Sequence, residues 1–114
     1  MHIELVIDCD DADAMVAFWT AALGYVAHGR FEQYRSIVDP TGEGPKIILQ
    51  QVPERTPGKN AVHLDMHVAD VAATVERLRG LGADEVHTIE VDGASWVTMR
   101  DIEGNQFCVC RQHG

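Results

Sequence analysis

A chain of 114 residues is long enough for one domain and too short for two domains with separate cores. Hydrophobic residues make up 46% and charged residues 24%, the ordinary globular mix, which excludes a disordered or fibrous chain. Eighteen acidic against nine basic side chains give a formal net charge of −9, which excludes nucleic acid and anionic membranes as expected partners.

The chain shows neither an apolar run long enough to span a bilayer nor a basic, apolar leader at its start. Its three cysteines, Cys9, Cys108 and Cys110, cannot all pair within one chain, which suits a reducing compartment. We therefore expect a cytoplasmic protein.

The first half of the chain predicts one strand, one helix and three further strands. The apolar run Ile3–Ile7 is followed by Asp10 and Asp11, which are candidate N-cap residues. The helix that follows has its apolar residues on a single stripe and ends at Gly24. That stripe consists of Met15, Phe18, Trp19, Ala22 and Leu23. The three later strands are predicted over Tyr25–Phe31, Tyr34–Val38 and Lys46–Val52.

The second half repeats the same order of elements. The helix caps Asp11 and Asp70 are 59 positions apart, and the turn residues Asp39 and Asp101 are 62 apart. Strands are predicted over His63–Val68, Glu85–Val91, Ser95–Arg100 and Gln106–Cys110, with a helix from Asp70 that stops at Gly82. The expected fold is α+β: one domain, 1–114, of two tandem βαβββ modules, 1–52 and 61–114, joined by a linker, 53–60. The strands should form a curved mixed sheet, a cup, with the helices on its outer face.

The alternation of residues along each strand shows which side chains face away from the helices. His, Cys, Tyr and Trp are unusual on a solvated sheet face, so this composition favours a concave site for a ligand. The side chains assigned to this face include Glu4, Tyr34, Gln50, His63, Asp65, His67, Trp96, Arg100, Cys108 and Cys110.

The order of these pieces resembles the vicinal oxygen chelate superfamily of glyoxalases, bleomycin-resistance proteins and dioxygenases, and its small glyoxalase-like domain branch above all. The resemblance covers essentially the whole chain. Its matching pieces are Phe18-Trp19, Leu23-Gly24-Tyr25, Asp39-Pro40 with Gly42, Gln50 to Glu54, Lys59-Asn60, His63-Leu64-Asp65, Leu81-Gly82-Ala83, Asp101 with Glu103-Gly104-Asn105, and Phe107-Cys108-Val109.

The resemblance implies a divalent metal held by the first, fifth and eighth strands, usually by His, His and Glu. Those positions fall on Glu4, His63 and Cys108, and the fourth strand adds Gln50 or, with a shifted register, Ile48. Glu4 and His63 would then also be the catalytic residues. Since Glu4 replaces a His and Cys108 replaces a Glu, the donor set suits zinc better than magnesium or manganese.

Two functions agree with this pattern. The first is a protein that binds a small aromatic or cationic molecule in the cup without a tightly held ion, with Tyr34 and Trp96 as aromatic walls. Its polar ligand contacts would come from Gln50, Asp65, His67 and Arg100. The alternative is a metal-dependent lyase, isomerase or dioxygenase that acts on a small oxygenated substrate, with Glu4 as ligand or base. The cofactor is left open, with zinc favoured if a metal is present, and we expect a homodimer.

Overall fold

The computed structural model describes residues 4–53, 63–91 and 94–112. The chain divides into two compact units, Met1–Thr56 (unit 1) and Pro57–Gly114 (unit 2). The predicted start of the first strand at Ile3 and residues 54–60 of the predicted linker lie outside the described residues, so the module boundaries stay predictions.

Unit 1 is a βαβββ module with one four-stranded mixed sheet. Its elements are β1 (Glu4–Cys9), α1 (Ala12–Leu23), β2 (Val26–Phe31), β3 (Tyr34–Val38) and β4 (Lys46–Gln51). The strand order is β1-β4-β3-β2; β1 and β4 run parallel, and the other neighbours are antiparallel.

Unit 2 repeats this topology. Its elements are β5 (Asp65–Val68), α2 (Val71–Gly80), β6 (Asp84–Val91), β7 (Ala94–Arg100) and β8 (Gln106–Arg111). The strand order is β5-β8-β7-β6, again with one parallel pair, β5 and β8. The α+β fold of two βαβββ modules predicted from the sequence is thereby confirmed.

Both helices begin at the predicted caps. The carboxylate of Asp11 accepts a hydrogen bond from the Ala14 amide at 3.0 Å, and that of Asp70 accepts one from the Ala73 amide at 3.0 Å. Each bond satisfies an amide that the first helical turn leaves without a backbone partner. Helix α1 ends at Gly24, whose φ of 73° lies in the left-handed region that glycine adopts without strain.

Several element boundaries differ from the predicted ones, most by one or two residues, and three of the differences have a consequence or a local cause. Strand β2 begins at Val26 because the Tyr25 amide still bonds the Thr20 carbonyl at the end of α1. Helix α2 ends at Gly80, and the amides of Gly82 and Ala83 bond back to its last turn. Strand β5 begins at Asp65, so His63 precedes the strand and does not belong to it.

The predicted turns at Asp39 and Asp101 are both present. In each, the glycine three residues later, Gly42 or Gly104, donates to the aspartate carbonyl. Hydrogen bonds from the Thr41 side chain and backbone and from the Gly44 amide lower the pKa of Asp39. The equivalent Asp101 is buried and accepts from the amides of Glu103 and Asn105.

Each unit buries one face of its sheet against its own helix. In unit 1 the large buried side chains come from Ile37 of β3, from alternate positions of β4 and from the α1 stripe: Met15, Phe18, Trp19, Ile37, Ile47 and Leu49. In unit 2 the corresponding set is Val75, Leu78, Val97, Met99, Phe107 and Val109. The opposite face of each sheet is therefore left without a helix, as the strand alternation predicts.

Helices α1 and α2 are too short to cross a bilayer, and no helix in the described part of the chain meets the requirements for a membrane span.

Candidate functional site

An open groove with a volume of about 340 Å³ lies on the sheet of unit 1. We use the term groove for the surface formed by six of its lining residues: Gly29, Phe31, Tyr34, Ser36, Lys46 and Ile48. The strand register explains why they meet, since Tyr34 is opposite Phe31 and Ser36 is opposite both Gly29 and Ile48. Alternation places these residues on the sheet face that points away from α1.

The groove exposes apolar surface that a folded chain ordinarily buries. Phe31 is 69% exposed and Tyr34 36% exposed, and the neighbouring Val6 is 54% exposed. Glycine suits position 29, because a Cβ there would stand 3.0 Å from the Ser36 hydroxyl on the neighbouring strand. An exposed aromatic pair beside an aliphatic floor is typical of a surface that a planar apolar molecule covers.

Three basic residues border the groove although the chain is acidic as a whole: Arg30, Arg35 and Lys46. Lys46 lies on the groove face, whereas Arg30 and Arg35 alternate to the helix face, where both guanidiniums lie near Asp13 of α1. The Arg35 guanidinium bonds the Asp13 carboxylate at 2.9 Å, and this hydrogen bond lowers the pKa of Asp13. Lys46 lies 4.0 Å from the Glu4 carboxylate, a long contact that leaves its ammonium able to donate to a ligand.

Two of the sequence-predicted site residues adjoin this groove. Gln50 is opposite Tyr34 in the register, and its amide donates to the Tyr34 hydroxyl at 3.4 Å. Glu4 is opposite Lys46 at the start of β1. Sequence reasoning identified Tyr34 and Gln50 but missed Phe31, whose position next to the Glu32-Gln33 turn hides its strand alternation.

The open face of unit 2 carries a first ligand cluster, formed by His63, Asp65 and Cys108. Their donor atoms all lie within 4.8 Å of one another. Parallel pairing of β5 and β8 brings Asp65 opposite Cys108, and the His63 ring nitrogen Nε2 lies 3.2 Å from Asp65 Oδ1. The thiol of Cys108 also contacts the Thr98 hydroxyl at 3.6 Å.

A second ligand cluster lies one step along the same two strands and consists of Asp65, His67 and Cys110. Its donor atoms are likewise within 4.8 Å of one another. Burial raises the pKa of the Cys110 thiol, and repulsion from Asp65 and Cys108 raises it further. Cys110 without a bound cation is therefore a poor nucleophile at neutral pH.

Trp96 and Arg100 lie on the same open face of unit 2. Trp96 is half-buried and opposite Cys110 in the pairing of β7 with β8, and Arg100 is exposed and opposite Gln106. The predicted residues thus fall into two sets. Glu4, Tyr34 and Gln50 belong to unit 1, and His63, Asp65, His67, Trp96, Arg100 and Cys108 belong to unit 2. That the two sets of residues line one common cup stays a prediction.

The first ligand cluster suits the metal that the fold family implies. Imidazole nitrogen, carboxylate oxygen and thiolate sulfur are all zinc ligands, and neighbouring ligands of tetrahedral zinc stand about 3.5 Å apart. Small side-chain rotations bring donors that lie within 4.8 Å to that spacing. Sequence reasoning assigned the carboxylate ligand to Glu4. Within unit 2, Asp65 supplies a carboxylate next to His63 and Cys108. The sequence indicated this position, because His63 and Asp65 are two residues apart and were assigned to the same face.

Comparison with known proteins agrees with this two-module fold. A crystal structure of a glyoxalase/bleomycin resistance protein/dioxygenase family enzyme from Burkholderia phytofirmans PsJN superposes with a TM-score of 0.82 at 18% identity, covering 96% of this chain and 97% of that one. TioX from Micromonospora sp. ML1 superposes with a TM-score of 0.70 at 18% identity, covering 99% of both chains. Oxidase ChaP-H2 superposes with a TM-score of 0.71 at 14% identity, covering 99% and 94%. The search of curated proteins found no match.

The Burkholderia neighbour is described as a member of the glyoxalase/bleomycin resistance/dioxygenase superfamily, the vicinal oxygen chelate superfamily, and the three superpositions show that this chain has its fold. Within it, the chain belongs to the glyoxalase-like domain family, whose model matches residues 4–110.

Proposed function

We propose that this chain is a small-molecule-binding member of the glyoxalase-like family, and that the groove of unit 1 is its ligand surface. The observation that carries the proposal is the exposed pair Phe31 and Tyr34 beside Ile48, around an open volume of about 340 Å³. That volume is in the range of pockets for small organic ligands. Covering this apolar surface removes it from water and so favours binding.

The chemistry of the groove favours an aromatic compound that carries oxygen groups. The rings of Phe31 and Tyr34 offer apolar surface for a planar ligand. The Lys46 ammonium and the Ser36 hydroxyl donate hydrogen bonds to carbonyl, phenol or carboxylate oxygens. The expectation that Trp96 also contacts the ligand stays a prediction, as do the homodimer and the cytoplasmic location.

Removing either exposed ring is expected to weaken binding about tenfold, because each ring contributes apolar contact area to the ligand. The probe is anilinonaphthalene sulfonate, an aromatic anion whose fluorescence rises in apolar surroundings, titrated into the wild-type protein and into Phe31→Ala and Tyr34→Ala. Aromatic compounds that displace the dye then identify the ligand class. Val26→Ala is the matched control, since Val26 is an exposed apolar residue of the same sheet that does not line the groove. Equal affinities in all four proteins would place the ligand elsewhere.

A second function, a metal-dependent enzyme acting on a small oxygenated substrate, is favoured by the first ligand cluster. A bound divalent ion supplies Lewis-acid polarisation of substrate oxygens. His63, Asp65 and Cys108 would hold it. Glu4 as a general base or a further ligand is part of this candidate and stays a prediction.

Metal analysis after chelator-free purification separates the two functions. If the chain is a binding protein, we expect no tightly held ion, or zinc alone, and dye binding that persists after treatment with a chelator. Nickel, iron or manganese in stoichiometric amount, lost in His63→Ala, would favour the enzyme instead. Gln106→Ala serves as the control, because Gln106 lies on β8 and outside both ligand clusters.

A further inference from the structure

We propose that the second ligand cluster, Asp65, His67 and Cys110, is a second metal site for a thiophilic divalent ion of the zinc and cadmium class. It is separate from the positions at which the family resemblance places a metal, and it does not depend on ligand binding in the groove.

The geometry of two paired strands carries this inference. His67 lies directly opposite Cys110 in the parallel pairing of β5 with β8, and Asp65 is two residues before His67 on the same face. The donor atoms of the three residues stand within 4.8 Å of one another. Since hydrogen-bonded strands hold all three backbones, only side-chain rotations are needed to close the site, and the ordering cost of binding is small.

The accessibility of the three donors also suits a metal site. Asp65 and His67 are exposed, so a hydrated ion reaches them from solvent, whereas Cys110, on the neighbouring strand, is half-buried. The ion would exchange bound waters for an oxygen, a nitrogen and a sulfur ligand, and the Cys110 proton would leave to solvent. One coordination position stays open for water.

The donor types determine which ions the cluster prefers. A thiolate and an imidazole favour zinc and the softer cadmium over magnesium or calcium, which prefer sites made of oxygen ligands alone. Three protein ligands with one open position is a known arrangement for zinc.

Asp65 belongs to both ligand clusters, which connects the two sites. Its Oδ1 lies against His63, and its carboxylate has a second oxygen with which to bind another ion. The rungs Asp65–Cys108 and His67–Cys110 are two residues apart along the strands, or about 6.6 Å. Because both clusters share the Asp65 carboxylate, an ion bound at one cluster changes the affinity of the other cluster for its ion.

The test titrates Zn²⁺ alone, and Cd²⁺ alone, into the reduced, metal-stripped full-length chain. Calorimetry counts the binding equivalents, and the ultraviolet charge-transfer absorbance of Cd²⁺ reports thiolate ligation. We expect His67→Ala and Cys110→Ser to weaken one class of binding by about tenfold or more, and Asp65→Asn to weaken both classes. His63→Ala and Cys108→Ser are the matched variants: Cys108 is two residues from Cys110 on β8, and His63 lies just before β5. Both should leave the His67-dependent class in place.

One result would overturn the proposal directly. If His67→Ala and Cys110→Ser bind both ions like the wild-type chain, only the first ligand cluster is in use or no cluster is. His67→Gln, which keeps a polar side chain, and the thermal midpoint of each variant separate loss of a ligand from loss of folding. Dye binding in the groove is measured on the same proteins, so failure of this second site is distinguishable from failure of the proposed ligand surface.

Discussion

Trp19→Ala is expected to lower the free energy of unfolding by about 3–5 kcal/mol, the cost of removing a large buried aromatic side chain. Trp19 is 1% exposed and meets Phe18 edge-on, with ring centroids 5.1 Å apart. Trp19 belongs to α1, and its side chain is buried in the core of unit 1, whose sheet presents the groove, so the loss should affect both the fold and the ligand surface. Urea denaturation measures the energy, and the thermal midpoint should fall by about 12 °C or more.

Trp96→Ala is the matched control, because Trp96 is the second tryptophan and lies half-buried on the open face of unit 2. We expect it to cost about 1 kcal/mol in stability. The same variant tests whether Trp96 contacts the ligand, in which case affinity falls by about 1–3 kcal/mol. Equal destabilisation by the two substitutions would contradict the division between core and open face.

Ile48→Trp is expected to weaken ligand binding by about 10- to 100-fold while the chain stays folded. Ile48 lies on the central strand β4, half-buried, with its side chain lining the groove between Ser36 and Val6. An indole there occupies the space that a planar ligand needs, and filling a binding space penalises the ligand without removing any core contact. Calorimetric titration is the appropriate measurement, because a new tryptophan alters the fluorescence of the protein.

Val26→Trp is the control for this substitution. Val26 is 46% exposed on β2 and outside the groove lining, so the same change in size should leave affinity unaltered. Undiminished binding by Ile48→Trp would exclude the groove as the ligand surface, and weakened binding by Val26→Trp would indicate a larger surface than the one proposed.

The family assignment is compatible with both proposed functions, a small-molecule-binding protein and a metal-dependent enzyme. The same fold occurs in one neighbour described as a glyoxalase/bleomycin resistance protein/dioxygenase family enzyme and in another described as an oxidase, and at 14–18% identity such likeness establishes architecture alone. The choice between binding protein and metalloenzyme therefore depends on particular residues of this chain. A metal site is favoured by His63, Asp65 and Cys108. An apolar ligand is favoured by Phe31, Tyr34 and Ile48.

Local chemistry explains which parts of the fold the sequence predicted. Asp11 and Asp70 cap their helices through their own carboxylates, and Gly24 ends α1 through its own backbone freedom. The two faces of each strand follow from alternation, so the burial of Ile47 and Leu49 beside the less buried Ile48 was predictable. Such features depend on interactions between residues that are close together in the sequence, so they can be predicted from the sequence alone.

The sequence by itself therefore determined the repeated βαβββ order, the caps and turns, and which side chains face away from the helices. Only the tertiary structure decided which of those side chains meet. The pairing of β5 with β8 brings Asp65 to Cys108 and His67 to Cys110, and the pairing of β3 with β4 brings Tyr34 to Gln50 and Ser36 to Ile48. The physical reason is that strand register joins residues far apart in the chain, and a shift of one residue would turn each of these side chains to the other face of its sheet.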